Sequence, residues 1–193
     1  MSRITVKPEL CLLLALSLLI LPIKWVISWI LAVLVHEACH YFALRACKAQ
    51  ILQVQLTATG ATIETYISGL KECLCAIAGP IGSICLLSLR KWFPELAVCG
   101  LMQAIFNLLP VFPLDGGRFI RALQEHYAPN HPWLYKLPEN ATLVLLFGVG
   151  LYGSLRLCLG LLPVLIPLLL LYKKNTLQRQ CKKGTIIASE TKR

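Results

Sequence analysis

The stretch that decides the fold is WVISWILAVLVHEACHYFALRA, residues 25–46. It carries His36, Glu37 and His40 within five positions of an otherwise apolar run. On an α-helix, residues i and i+4 share a face, so both imidazoles can bind one ion. Each ionisable group inside a membrane costs about 2.5–3.5 kcal/mol on insertion scales. Three such groups together therefore need a compensating partner, and a metal ion is one.

The whole chain is as apolar as this stretch. Of its 193 residues, 57% are hydrophobic and 15% are charged, and the mean hydropathy is +0.69. A soluble domain has about 25% charged and about 45–50% apolar residues. The composition excludes a soluble enzyme, a disordered chain and an ordinary nucleic-acid binder. It predicts a polytopic membrane protein, with the lipid bilayer as its surroundings.

The net charge of +10 does not indicate a nucleic-acid partner. Seven of the 19 basic residues lie in the last 21 positions, and most of the others flank apolar runs. That distribution is typical of charges that orient membrane spans and contact anionic lipids. The nine cysteines are scattered, and most lie in apolar runs, so we expect packing residues in a reducing compartment.

The predicted fold class is an all-α polytopic membrane protein with about six transmembrane helices. A turn is expected at Pro22–Lys24, because one helix over both early apolar runs would be about 50 Å long, too long for a core of about 30 Å. The region 141–172 contains either two short helices or one long, tilted helix. The other predicted spans are Leu10–Ile23, Trp25–Ala46, Gly69–Leu89 and Leu96–Leu114.

The distribution of basic residues favours two spans in 141–172. With six spans and a cytoplasmic N-terminus, 15 basic residues lie inside and four outside. A single final helix would place the basic tail outside, against the positive-inside rule. We therefore expect a multi-pass protein of the cell membrane with both termini and the active site towards the cytoplasm. Its domains are a membrane unit, 1–172, and a basic cytoplasmic tail, 173–193.

The connection between the second and third spans has a different pattern. In residues 51–66, Leu52, Val54 and Leu56 alternate with polar residues, and Thr59 and Gly60 supply a turn. Alternation with a period of two predicts strands, so we expect a short β-hairpin here. A plain interfacial loop is the alternative.

A catalytic zinc ion normally has three protein ligands and one open position, so the two histidines need a third partner. Asp115 is the single aspartate of the chain, and it ends the fourth span, which runs in the same direction as the second. It should therefore lie at a similar depth, although a turn role before Gly116 is the alternative. Glu37 can take a proton from a water at the metal. Weaker candidate ligands are Glu64, Glu72 and Cys39.

The sequence before Asp115 predicts an opening in the helix. Pro110 and Pro113 interrupt a regular helix, and irregular backbone at membrane depth is tolerated where it lines a cavity or is buried. The Asn107 amide is a candidate donor to a developing oxyanion, and interhelical hydrogen bonding is equally consistent. His126 and His131 fall in 118–140, which we expect to be a solvated inner loop without a second metal site.

Three motifs together carry a resemblance. The His36–His40 motif, the turn Ala78-Gly79-Pro80 and the pattern NxxPxxPLDG over 107–116 resemble the site-2 protease family of intramembrane zinc metallopeptidases. The early motif on the second span is similar to the group that contains stage IV sporulation protein FB. The resemblance implies one Zn²⁺ per chain, bound by His36, His40 and Asp115, with Glu37 as catalytic base. It also implies a hairpin beside the active site.

The expected function is a zinc-dependent intramembrane endopeptidase that acts on a membrane-associated protein, such as a sigma factor precursor or an anti-sigma factor. Because no PDZ-like or nucleotide-sensing region is visible, separate regulatory membrane proteins are expected partners. A zinc transporter is one alternative, but transport sites rarely need a Glu after the first His, and no repeated halves are visible. A non-catalytic scaffold is the other, and the presence of Glu37 and Asp115 argues against it.

Overall fold

The computed structural model describes residues 3–6, 15–49, 51–57, 60–65, 67, 69–131, 133–156, 165, 167–172 and 174–175. The protein is mostly helical in these ranges, with a small sheet. The elements are β1 (Arg3–Val6), α1 (Ile23–Ala46), β2 (Ile51–Thr57), β3 (Gly60–Thr65), α2 (Leu70–Cys85) with a 3-10 turn (Leu86–Leu89), α3 (Pro94–Asn107), α4 (Asp115–Tyr127) and α5 (Trp133–Arg156).

Two stretches in the described residues are long and apolar enough to cross a membrane. They are α1, with 24 residues, and Leu70–Leu89, with 20 residues. An α-helix of 20 residues spans about 30 Å, which matches a bilayer core. The predicted second and third spans are therefore confirmed as helices of suitable length, and the total of six spans stays a prediction.

The helix break before α1 lies at Leu21 and Pro22, so the expected turn at Pro22–Lys24 is met at Pro22, whereas Ile23 and Lys24 are already helical. Residues 15–20 are helical, and Pro22 then has an extended backbone (φ −56°, ψ 141°) before α1 begins. Proline fits immediately before a helix because its missing N–H has no partner there in any case. The first five residues of the expected span Leu10–Ile23, residues 10–14, lie outside the described residues.

The predicted fourth span is wrong at its C-terminal end. Helix α3 stops at Asn107 rather than continuing to Leu114. Pro110 and Pro113 lack the N–H that a continuing helix needs, so the backbone is irregular over 108–114. The expected interruption by the two prolines is thus confirmed, and it removes about the last two turns of the predicted helix.

The expected loop 118–140 is also wrong, because most of it is helical. Helix α4 extends to Tyr127, and α5 already begins at Trp133, eight positions before the expected 141. Helix α4 is amphipathic: Ala122 and Gln124 are buried, whereas Arg121 and Glu125 form an exposed i,i+4 ion pair of 2.9 Å. Such pairs support a surface helix. Residues 157–164 lie outside the described residues, so the choice between one and two spans in 141–172 stays open.

The residues expected to form a hairpin lie in a three-stranded sheet with the order β1-β2-β3. Strand β3 pairs with β2 in antiparallel register, with Val54 opposite Ile63. Strand β1 pairs with β2 in parallel, with Ile4 opposite Val54, and the sequence did not predict this strand. Strand β2 therefore has partners on both sides, and β3 lies at an edge and contacts α1.

Helix α2 lies at the centre of the helical unit and contacts α1, α3 and α4. It approaches α1 closely because its facing residues are small. A side-chain carbon at Gly82, for example, would overlap the Cys39 sulfur. Small residues at such positions permit close helix packing inside membranes. The core beside this contact is formed by Ala32, Leu86 and Leu96.

Candidate metal centre

The two motif histidines lie one turn apart on α1. His36 is 3% exposed and His40 is 8% exposed, so both imidazoles are withdrawn from the surface. Their ring planes are nearly perpendicular, with an angle of 79° between them. The i,i+4 spacing thus produces the shared face that the sequence predicts.

Each imidazole is oriented by a contact from α2 at its Nδ1 atom. His40 Nδ1 donates to the carbonyl oxygen of Cys75 over 2.7 Å, and His36 Nδ1 lies 2.9 Å from Ser83 Oγ. A carbonyl oxygen only accepts, so His40 carries its proton on Nδ1 and presents the lone pair of Nε2. Metal-binding histidines are commonly fixed in this way by a partner at the other ring nitrogen.

Asp115 joins the two histidines from the first residue of α4. Its Oδ2 atom lies 3.1 Å from His36 Nε2 and 3.1 Å from His40 Nε2. The two Nε2 atoms are themselves 3.1 Å apart. Residue 116 is a glycine for a steric reason, because a side-chain carbon there would overlap the Leu108 carbonyl oxygen. The irregular segment 108–114 therefore folds tightly over the start of α4 and directs Asp115 to the histidines.

This donor set fits a zinc ion. Two imidazole nitrogens and a carboxylate oxygen are typical catalytic zinc ligands, and ligands about 2.0–2.1 Å from a tetrahedral ion lie about 3.3 Å from one another. The observed separations of 3.1 Å are close to that value. The lone pair of His40 Nε2 faces a carboxylate oxygen, a contact that needs a proton or a cation between the two atoms. In the part of the chain that the structure describes, these three residues form the one group with metal-ligand geometry.

Asp115 is buried between the two imidazoles. Its Oδ2 atom lies 3.1 Å from the Nε2 atom of each ring. The aspartate is 8% exposed. A buried carboxylate is stable only when it is paired. The two imidazoles, or a cation bound between them, are therefore the partners that Asp115 needs.

The other predicted catalytic residues lie on α1 and α3. Glu37 follows His36 on α1 and is half-buried, and Asn107 is the last residue of α3 and is also half-buried. Of the weaker ligand candidates, Cys39 contacts α2 at Gly82 instead. His126 and His131 are exposed and are not part of the metal-ligand group found among the described residues.

Sequence reasoning missed the contacts that orient the histidines. Ser83 is fully buried, and the Cys75 carbonyl lies in the interior of a helix, where its bond to an imidazole has no signal in the sequence. The position of Ser83 in the sequence does indicate such a role. Ser83 follows Ala78-Gly79-Pro80 by one helical turn, on the same small-residue face of α2. The expected turn at Ala78-Gly79-Pro80 is wrong, because these residues lie inside α2.

Comparisons with known proteins agree on one family. The sequence model of peptidase family M50 matches residues 50–147, just over half of the chain. A zinc metalloprotease of Methanocaldococcus jannaschii is 30% identical over 132 residues, and the match covers 59% of this chain but 39% of that protein. The solved structure of a site-2 protease from the same organism superposes with a TM-score of 0.63 at 25% identity. That superposition covers 88% of this chain and 87% of the other. The His36–His40 motif lies before the residues matched by the family model, so the two are independent observations.

Proposed function

The chain belongs to peptidase family M50, the site-2 protease family, and from this premise we propose that it is a zinc-dependent intramembrane endopeptidase. It hydrolyses a peptide bond in or next to a transmembrane segment of a membrane-associated protein. The observation that carries this proposal is the triangle of Nε2, Nε2 and Oδ2 atoms from His36, His40 and Asp115, each 3.1 Å from the others.

These three side chains hold the zinc ion. A zinc ion bound there acidifies water and polarises a peptide carbonyl, which makes hydrolysis possible near neutral pH. Glu37 acts as the general base. It lies next to His36 on the same helix, so its carboxylate can accept the proton of the attacking water and pass it to the leaving amine. Asn107 donates its amide to the oxygen that becomes negatively charged during the attack.

A helical substrate must unwind before it is cut, because its amides are hydrogen-bonded within the helix. We propose that the sheet holds the unwound segment by pairing with it as an added strand. Both sides of β2 already have partners, so of the two hairpin strands only β3 offers an edge to an added strand. Strand β3 is suited to this role because it contacts α1, the helix that carries the histidines.

Six spans, with both termini and the metal site towards the cytoplasm, are the topology we propose. The ratio of 15 basic residues inside to four outside supports it. We also propose that the chain belongs to the sporulation group, because the His36–His40 motif lies early in the chain. The proposed substrate is then a sigma factor precursor or an anti-sigma factor. Regulatory membrane proteins are the proposed partners.

The test compares the wild type with Glu37→Gln in liposomes. The model substrate is a tagged single-span protein with a glycine- and proline-containing span, which unwinds readily. We expect bound zinc in both proteins and cleavage only in the wild type. Cleavage by Glu37→Gln would refute the role of Glu37. Zinc transport without cleavage would favour a transporter, and zinc binding with neither activity would favour a scaffold.

A further inference from the structure

A largely buried ion pair lies next to the segment 108–114, which leads directly to Asp115. Glu139, on α5, is 3% exposed, and its Oε2 atom lies 3.0 Å from Lys174 Nζ. The Lys174 side chain is itself only 15% exposed. Withdrawing two charges from water carries a desolvation penalty that their attraction often fails to repay. Hydrolysis as proposed above uses neither group, so the pair needs another explanation.

The second carboxylate oxygen of Glu139 makes a contact that explains the pair. Its Oε1 atom accepts a hydrogen bond from the backbone N–H of Phe112 over 3.2 Å. Phe112 lies in the irregular segment 108–114, where the backbone has left α3 and has not yet entered α4. A partly buried N–H in such a segment needs a partner outside regular secondary structure. Asp115 follows three residues later.

Apolar contacts hold the same segment from the same side. Val111 is fully buried and packs with Leu143 and Leu170. Leu143 lies one turn after Glu139 on α5, and Leu170 lies one turn before Lys174. One face of α5 therefore contacts the irregular segment through both Leu143 and Glu139, whereas the C-terminal helical segment contacts it through Leu170 and supplies the cation beside Glu139. From α4, the Arg121 guanidinium lies over the Phe112 ring, 5.7 Å from its centre.

We propose that Glu139 is a positioning residue for the metal centre. By accepting the Phe112 N–H, it fixes the segment 108–114 so that Asp115 stays beside His36 and His40. Lys174 compensates the charge of Glu139, which couples the chain beyond the predicted last span to the metal ligands. This inference rests on the proposed function, since it concerns the zinc site of that enzyme.

The test uses two double variants that differ only in the hydrogen-bond acceptor. Glu139→Gln with Lys174→Met removes both charges but keeps an amide oxygen for Phe112. Glu139→Met with Lys174→Met removes both charges and the acceptor, with little change in volume. Zinc affinity is measured on the full-length protein in detergent by competition with a chelator, and thermal unfolding of the zinc-free protein reports the fold. Glu95→Gln, which removes a charge in the first turn of α3 and outside the contacts of the segment 108–114, is the control.

We expect the Gln variant and the control to bind zinc within about threefold of the wild type. The Met variant should bind about 10–100-fold more weakly, the usual effect of losing a group that orients a metal ligand. Equal zinc affinity of the two double variants, high or low, would overturn the proposal. If the Met variant does not fold, Glu139→Asp keeps the charge but shortens the reach, and wild-type zinc affinity in that variant would overturn it. A wild type that binds no zinc would instead contradict the proposed function itself.

Discussion

Ser83 Oγ lies 2.9 Å from His36 Nδ1, and this contact joins α2 to the metal-binding face of α1. Ser83 is fully buried, so no water competes for the imidazole nitrogen. With Nδ1 as the donor to the hydroxyl, Nε2 is left to bind the metal. The orientation of a zinc ligand thus depends on a residue of a neighbouring helix.

Replacing Ser83 by alanine should weaken zinc binding without preventing folding. The change leaves His36 Nδ1 without its buried partner, so the ring loses its fixed orientation. Loss of such a partner typically lowers metal affinity by about 10–100-fold. Chelator competition on the purified protein measures the effect. Ser88→Ala is the matched control, because Ser88 is exposed and bonds only within its own turn. Equal zinc affinity of the two variants would show that Ser83 does not orient His36.

Gly79 should not tolerate even a methyl group. A side-chain carbon at this position would overlap His40 Nε2, the atom that faces Asp115. We expect Gly79→Ala to displace the imidazole and to lower both zinc content and cleavage by more than about tenfold. In Gly148→Ala the added carbon has no atom within 4 Å, so this variant is expected to behave as the wild type. Normal zinc content in Gly79→Ala would mean that His40 is not a ligand.

Zinc affinity should fall as the pH is lowered from 7 to 5. Both imidazoles must be unprotonated to bind zinc, so protons compete with the metal at two ligands, and affinity can fall by up to about 100-fold per pH unit in acid. Asp115 adds little in this range. The carboxyl of a free aspartic acid has a pKa of about 3.9, which lies below this range. Chelator competition at several pH values measures the slope, and an affinity independent of pH would exclude paired histidine ligands.

The metal centre was predictable from the sequence because its ligands are chemically rare in this chain. His36 and His40 stand at helical spacing in an apolar run, and Asp115 is the single aspartate, so few alternatives existed. The ends of the helices were less predictable. Hydrophobicity predicted a span over Leu96–Leu114, and charge predicted a loop over 118–140. The residue at which a helix ends depends on packing, which neither pattern contains. Here Val111 is buried against α5 and residues 167–172, which the local sequence does not encode.

Contacts between distant segments were not predictable at all. Glu139 lies near the start of an expected span and reads as an ordinary boundary charge, yet it bonds to the backbone of Phe112, 27 positions away. Strand β1 was missed for a similar reason. Four residues are too few for a periodic pattern, and this strand exists through its pairing with β2.

The role proposed for β3 can be tested by proline substitutions. In an edge strand, alternate residues direct their N–H groups towards the neighbouring strand or away from it. Proline at a position whose N–H faces away from β2 keeps the sheet but removes a donor to an added strand. We expect the effect of single proline substitutions on cleavage to alternate from one residue to the next between Ala61 and Glu64. At outward positions cleavage of the single-span substrate should fall at least about tenfold with unchanged zinc content. Proline at Ile4 or Thr5, in β1 at the opposite edge, is the control. Prolines in β1, rather than in β3, could instead abolish cleavage while zinc is retained. That result would mean that the substrate pairs with the β1 edge, and the role proposed for β3 would be wrong.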